Sequence, residues 1–144
     1  KYIMWIIRTN KNLYKFSKVE PTLCNFCYQN IETLKHLFWE CMHTQQFLTT
    51  LSMVFRTNNI DVEINFQNIS LGICEKTQNQ TVLNFIILCA KYFIFKCKCT
   101  KQVPIFQHFK NYIKGKIETE RVIAMRKNKY DIHCKKLSKF AHLF

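Results

Sequence analysis

The sequence has few glycines, few prolines and few acidic residues. Among its 144 residues there are 2 glycines, 2 prolines and 9 Asp or Glu. The chain has no glycine-rich phosphate loop, no pair of aspartates spaced as in a polymerase, and no Ser, His and Asp arranged for nucleophilic attack. We therefore expect a non-catalytic chain that has no small-molecule substrate.

Long apolar runs are also missing. The longest extends from Thr81 to Phe95, is interrupted by Asn84 and Lys91, and is shorter than the roughly 20 residues needed to cross a bilayer. We interpret it as a central buried helix and expect no membrane partner. The opening apolar stretch from Tyr2 to Ile7 is too short for a secretory leader and lacks a small-residue cleavage site.

The chain begins with Lys1 rather than Met, so we expect a fragment of a longer polypeptide. Its 8 cysteines, without a secretory leader, favour an intracellular, reducing compartment in which thiols bind metal or pack in cores. We predict no disulfides. The length favours a single domain over residues 1–144.

Four potential metal ligands lie at short intervals near the start of the chain. Two residues separate Cys24 from Cys27, eight separate Cys27 from His36, and four separate His36 from Cys41. The short spacer lets one tight turn direct both sulfurs at one ion, and the longer gap lets the chain reverse before supplying the second pair. Three thiolates and one imidazole form a closed tetrahedral set, so we predict one structural Zn²⁺.

The second ligand pair is expected on a helix from Ile31 to Glu40, with Asn30 as its N-cap. Because His36 and Cys41 are five residues apart, Cys41 must lie where this helix ends or loosens. One alternative is that the thiols and the histidine are ordinary core residues. Another is that His43 replaces one ligand, although we expect it at the surface. Apolar residues recur on one side of the predicted helix: Leu34, Leu37 and Phe38.

The rest of the pattern predicts a mainly α fold. We expect a small zinc-clipped turn-helix unit, within a zinc-binding subregion of about residues 20–57, followed by a bundle of three to four helices. A stripe of apolar residues predicts a helix from Thr44 to Phe55, ended by Asn58-Asn59. Residues 60–76 are expected to form an irregular crossing loop, in which Gly72 takes a special backbone angle.

A basic helical region is expected over about residues 77–144. In it, two further helices follow the central buried helix. Pro104 lies in the first turn of the next helix, and the tail from Tyr130 to Phe144 forms a short one. A short helix or strand is expected from Trp5 to Lys15. The residues expected to point inward from the helix after Pro104 are Phe106, Phe109, Ile113, Ile117 and Ile123.

Positive charge is concentrated in the C-terminal half. Residues 77–144 carry fourteen Lys or Arg against three acids, whereas residues 21–76 carry three against five. Such a polycation is typical of a surface that binds phosphates. A solubilising surface and attraction to an anionic membrane remain alternatives. The basic residues predicted to contact nucleic acid are Lys110, Lys114, Lys116, Arg121, Arg126 and Lys127.

Aromatic residues beside the metal turn offer a second way to contact nucleic acid. Tyr28 directly follows the turn, and we expect it to stack on unpaired bases. For Trp39 we favour packing in the core against the helix from Thr44 to Phe55 over base stacking.

Two segments carry a family resemblance. They are Cys24-Asn-Phe-Cys27 and the stretch from Ile31 to Cys41, which contains Leu37-Phe38-Trp39-Glu40. They resemble the zinc-binding domain that follows the reverse transcriptase in LINE-type non-LTR retrotransposon polyproteins. The chain departs from many relatives at Phe47-Leu48, where they carry a tryptophan. Looser similarity continues through Gln45 to Phe47, Ile69 to Gly72 and Asn84 to Ile94.

This resemblance implies a non-catalytic appendage of a polyprotein whose polymerase and endonuclease lie elsewhere in the chain. It implies template RNA or target DNA as a partner, contacts with neighbouring domains of the polyprotein, and a location in nucleus and cytoplasm. The alternative is a zinc-stabilised module that docks its basic helices on a neighbouring acidic domain without touching nucleic acid. A third is a decayed genomic copy that folds without activity.

The other cysteines and acids have simpler interpretations. Cys97 and Cys99, with His108, His133 and Cys134, match no standard metal spacing, since the first two point to different helix faces. We expect Cys74 and Cys89 to be small apolar core residues. Glu118 and Glu120 are expected to form ordinary surface ion pairs with Arg121 nearby.

Overall fold

The computed structural model describes residues 9, 23–74, 79–126 and 132–144. In these ranges the chain is mostly helical and forms no named strand. The predicted fold class, a metal-ligand cluster followed by a helical bundle, is confirmed. The elements in chain order are a π-helical turn (His36–Glu40), α1 (Met42–Thr57), α2 (Phe66–Leu71), α3 (Gln80–Cys99), α4 (Phe106–Arg126), α5 (Ile132–Phe140) and a 3₁₀ turn (Ala141–Leu143).

Helix α1 forms on the stripe that the sequence predicts. Phe47, Leu48, Leu51 and Phe55 are buried, because they recur every three to four residues and so share one face. The helix is about half a turn longer at each end than predicted. It ends at the two asparagines, where Asn58 Nδ2 donates to the Val54 carbonyl at 2.8 Å.

Residues 60–76 are not entirely irregular, so that prediction is wrong in part. Asn65 begins the short helix α2 by accepting a hydrogen bond from the Asn68 amide at 2.8 Å. Of the six helical residues only Ile69 is buried, which leaves no periodicity for the sequence to show. Gly72 follows the last residue of this helix and has a φ of 85°. The prediction of a special backbone angle at this glycine is therefore confirmed.

Two polar residues that interrupt the apolar run fasten this connection to α3. The Asn84 side chain accepts from the Ile73 amide at 2.7 Å and donates to the Ile73 carbonyl at 3.1 Å. Lys91 Nζ donates to the Ser70 carbonyl at 3.2 Å. Their polarity therefore serves a tertiary contact, and the run around them is a buried helix as predicted.

The core is centred on aromatic rings where α1 meets the hairpin of α3 and α4. The Phe47 ring lies 5.8 Å from Phe93, 5.9 Å from Phe106 and 5.2 Å from Phe109 between centroids. Phe144, near the chain end, meets Phe109 edge-on at 5.7 Å. Buried residues from Cys24 to Phe144 belong to this one cluster. The ligand turn and the helices consequently share a core.

Helix α4 differs from the prediction at both ends. It begins at Phe106, so Pro104 precedes its first turn. Ile123 was expected inside but is 41% exposed, whereas Ala124 is buried. The inward stripe continues seven residues after Ile117, which is two turns of an α-helix and arrives at Ala124. The predicted helix of the tail is confirmed as α5.

Several predictions fall on residues outside the described ranges. They are the segment from Trp5 to Lys15, apart from Thr9, and the side chains of Lys127, His133 and Cys134.

Candidate metal centre

The first two candidate ligands lie on a closed turn. Leu23 and Ile31 form an isolated antiparallel bridge, and the Cys24 amide donates to the Asn30 carbonyl at 2.8 Å. Inside this loop the Tyr28 amide donates to the Cys24 carbonyl at 2.9 Å. Tyr28 has φ of 54°, a left-handed conformation that costs a non-glycine residue energy. The turn thus brings the sulfurs of Cys24 and Cys27 within 4.8 Å of each other, and the strained backbone at Tyr28 is its cost.

The second pair comes from the turn before α1. The Thr33 side chain, not Asn30, caps the segment, because its Oγ1 accepts from the His36 amide at 2.9 Å. The helical conformation starts at Leu34, three residues later than predicted. The Leu34 side chain is 46% exposed, so it does not share the buried side of its neighbours.

The five-residue gap between His36 and Cys41 is accommodated by a π turn. The Cys41 amide donates to the His36 carbonyl at 2.8 Å, which is the i to i+5 bond of a π-helix. Cys41 then leaves the helical conformation with ψ of 129° and precedes α1 as its N-cap residue. Thr44 Oγ1 donates to the Leu37 carbonyl at 2.8 Å and locks this exit. The prediction that Cys41 lies where the helix loosens is confirmed.

Cys24, Cys27, His36 and Cys41 meet in one cluster. One ligand atom from each lies within 4.8 Å of all the others. The Cys24 and Cys41 sulfurs are 3.9 Å apart, and the Cys27 sulfur is 3.3 Å from His36 Nε2. Tetrahedral Zn–S bonds of about 2.3 Å place two sulfurs about 3.8 Å apart. The Cys24–Cys41 separation therefore matches a tetrahedral ion, and all four ligand atoms are close enough to reach one ion with small side-chain shifts.

The buried sulfurs have different proton affinities. The hydrogen bond that the Cys24 thiol donates to Cys41 is the main cause of the change in both: it raises the pKa of Cys24 and lowers the pKa of Cys41 to about 7. The His43 and Thr44 amides at the start of α1 add to the second effect. Cys41 is accordingly the more readily ionised of the two, and binding of an ion to Cys24 would release the proton that this thiol retains.

The described cysteines are all free thiols, in agreement with the prediction of no disulfides. Over the ranges that the structure describes, no second group of metal ligands occurs. Cys97 is buried and Cys99 is exposed, so they do face different ways. Cys89 is buried as expected, but Cys74 is exposed and the prediction for it is wrong. The preceding residue, Ile73, is buried in the core instead, and Cys74 lies at the surface.

A buried ion pair that the sequence did not reveal joins the metal turn to α3. Glu32 Oε1 lies 3.3 Å from Lys98 Nζ, and their side chains are 0% and 7% exposed. Glu32 Oε2 also accepts from the Asn25 amide at 3.4 Å. Asn25 Nδ2 donates at 3.4 Å to the Lys98 carbonyl, which also accepts from the Lys101 amide just after the end of α3. The only sign of this pair in the sequence is that Lys98 follows Ile94 by four residues. It therefore lies on the same face of α3 as that buried side chain.

The predicted nucleic-acid contacts are distributed around α4. Lys114, Lys116 and Arg126 are exposed, and Lys110 is half-buried. Arg121 donates to Glu118 through two hydrogen bonds of 2.9 and 2.6 Å, the surface pair that the sequence predicts. This carboxylate already neutralises one of the candidate cations.

The two aromatic candidates near the metal differ in exposure. Tyr28 is 63% exposed, which its predicted role requires. Trp39 is half-buried against the core, which confirms the preference for core packing, but its ring contact, at 6.4 Å, is Phe66 of α2, a partner that the sequence did not predict. Beside it opens a cleft of about 400 Å³, lined by Trp39, Gln45, Leu48, Thr49, Ser52, Met53, Arg56 and Ile64.

Comparison with protein-family models, with curated proteins and with solved structures finds no match to this chain. The similarity to the retrotransposon domain therefore depends on the quoted residues alone. Among the described helices, none combines the length and apolarity that a bilayer crossing demands.

Proposed function

We propose that the four clustered side chains bind one structural Zn²⁺ and that the chain is the non-catalytic zinc-binding domain of a retrotransposon reverse-transcriptase polyprotein. The convergence of three sulfurs and one imidazole nitrogen within 4.8 Å carries this proposal. When bound, zinc would join the turn at Cys24 to the start of α1, with about 10 to 16 kcal/mol of apparent binding energy available for folding.

All four cluster positions are protein ligands, so the ion keeps no open position for a reacting water. This favours a structural ion over a catalytic one. The basic helices would supply the activity of the domain, engaging template RNA or target DNA through phosphate contacts.

Metal stoichiometry tests the first half of the proposal. We expect one zinc per chain in the purified protein and its loss in Cys27→Ser. Cys74→Ser is the matched control, because this thiol is exposed and outside the cluster. A folded, metal-free wild type would refute the zinc site, and so would equal zinc content in both variants.

Binding measured at several salt concentrations tests the second half. Labelled single-stranded RNA, single-stranded DNA and duplex should all bind more weakly as salt rises, with a log–log slope of about −0.7 per phosphate contact for single strands and −0.9 for duplex. The genomic sequence upstream of the codon for Lys1 tests the origin, since a reverse-transcriptase reading frame is expected there.

The second candidate function is a zinc-stabilised module that docks on a neighbouring domain. The cleft beside Trp39 favours it, because Met53 in its wall is 59% exposed. A cleft whose walls combine apolar and polar side chains with a flexible methionine suits a protein partner. Absence of salt-dependent nucleic-acid binding, together with retained zinc, would select this alternative.

A further inference from the structure

Two tyrosines from different helices stack on the outside of the α3–α4 hairpin. The Tyr92 and Tyr112 rings are 6.1 Å apart with 17° between their planes. The Lys116 ammonium lies 5.6 Å from the centre of the Tyr112 ring, and Lys96 lies 6.0 Å from it. We call these four side chains the tyrosine–lysine patch.

The patch is anchored from beneath and open from above. Tyr112 is half-buried, with its ring 5.8 Å from Phe93 and 6.4 Å from Phe109 in the core. Tyr92 is 53% exposed. A ring fixed on the core presents its neighbour in one orientation, which lowers the entropy cost of stacking a ligand on it.

The patch keeps its positive charge. Neither Lys96 nor Lys116 is in an ion pair within the described part of the chain. Glu118, two residues after Lys116, is paired with Arg121, and Glu120 lies one turn after Lys116 on the same face of α4. Contact with a ring attracts an ammonium group without neutralising it. Burial raises the pKa of Tyr112 to about 12, so this ring stays uncharged near neutrality.

A second contact between a lysine and an aromatic ring, at Lys35 and Phe66, serves as a comparison for the tyrosine–lysine patch. Lys35 Nζ lies 5.9 Å from the Phe66 ring, but it also pairs with Glu40 at 2.7 Å. That site has no net charge, and the ring beside it, Trp39, is half-buried and tilted by 55° instead of stacked. The tyrosine–lysine patch differs in both respects.

We infer that the tyrosine–lysine patch is where unpaired bases of a single-stranded nucleic acid stack, with the two lysines holding the adjoining phosphates. The inference rests on the proposed function and names the place on the chain that performs it. Exposed aromatic rings beside cations are how proteins hold single strands without reading sequence. Duplex bases are closed to such rings, because both of their faces are already stacked.

Binding of a fluorescein-labelled 12-nucleotide oligo(dT) or oligo(U) to the zinc-loaded chain tests the inference. Tyr92→Leu is expected to weaken binding by about tenfold, since base stacking contributes about 1 to 3 kcal/mol per base. Tyr92→Phe keeps the ring and should stay within about twofold of wild type. Phe66→Leu removes a partly exposed ring at the neutral site and is expected to change nothing.

Salt titrations test the lysines separately. Lys116→Gln should reduce the log–log salt slope by about 0.7, the value for one phosphate contact on a single strand. Lys35→Gln, whose charge is already paired, should leave the slope unchanged. Polyglutamate of similar charge has no bases, so it should bind more weakly than oligo(dT) and should not distinguish Tyr92→Leu from wild type.

The outcomes separate this inference from the proposed function. If wild type binds no nucleic acid at low salt, both fail. If wild type binds but Tyr92→Leu binds equally well, only the stacking site is refuted, as it is if polyglutamate binds as tightly as oligo(dT). Should Tyr92→Leu unfold, wild type cross-linked to oligo(dT) carrying 5-iodouracil decides: cross-links at Tyr92 or Tyr112 support the site, and cross-links confined to other segments refute it.

Discussion

Removing one partner of the buried Glu32–Lys98 pair should destabilise the whole chain. The two side chains are 0% and 7% exposed and join the metal turn to the end of α3. Lys98→Met removes the cation that faces the buried Glu32 carboxylate, and Glu32→Gln removes the anion that faces the buried Lys98 ammonium group. Loss of one partner of such a pair costs about 3 to 5 kcal/mol, and we expect about 3 kcal/mol for each variant.

The double variant Glu32→Gln/Lys98→Met should lose much less than the sum of the two. Both charges are then gone, so the desolvation cost that each single variant retains is also gone. We expect a coupling energy of about 2 kcal/mol or more in the double-mutant cycle. The Asn25 amide can still donate to the glutamine side-chain oxygen, because its present bond is to Glu32 Oε2.

The assay is urea denaturation of zinc-loaded protein, followed by far-ultraviolet circular dichroism. The exposed pair Lys35–Glu40 is the matched control: its atoms are closer, at 2.7 Å, but its side chains are 59% and 43% exposed. Lys35→Met should therefore cost under about 1 kcal/mol. The argument from burial fails if Lys98→Met costs no more than Lys35→Met, or if the two buried-pair variants are additive.

Four other results are expected from the same assay or from thermal melting. Gly72→Ala should lose about 1 to 3 kcal/mol, because φ is 85° and the new Cβ would lie 3.0 Å from Asn84 Oδ1; an unchanged midpoint would contradict this. Gly115→Ala should gain about 0.5 to 1 kcal/mol, since nothing lies within 4 Å of the new Cβ on a helical backbone. Asn65→Ala should lose about 1 kcal/mol by removing the cap of α2, whereas Asn65→Asp should keep it. Chelation of zinc should lower the melting temperature and one equivalent of zinc should restore it, a response that Cys27→Ser is expected to lack.

The cluster of potential metal ligands was predictable because the constraints on it are local. Cys24 and Cys27 share one turn, and a gap of five residues after His36 required the helix to loosen before Cys41. Spacing alone conveys these constraints. The same reasoning placed the cap at Asn30, since any of several polar residues before a helix can cap it, and only the coordinates show that Thr33 does.

Long-range partners could not be predicted from spacing. Asn84 and Lys91 looked like interruptions of an apolar helix, yet each bonds to a backbone group more than ten residues earlier in the chain. Glu32 and Lys98 are separated by 66 residues, so no local pattern couples them. Helix α2 was missed because it buries only Ile69, and one buried side chain has no period.

Because of the π turn at His36–Glu40, a deletion and an insertion between His36 and Cys41 should affect the candidate metal centre differently. It contains one residue more than an α-helical turn. Deleting the exposed Glu40 would leave the imidazole and the next thiol four positions apart, an interval that zinc sites also use. Inserting a residue would instead turn the following thiol by about 100° around the axis and away from the ion. Shortening should therefore preserve metal binding at this point, whereas lengthening should abolish it.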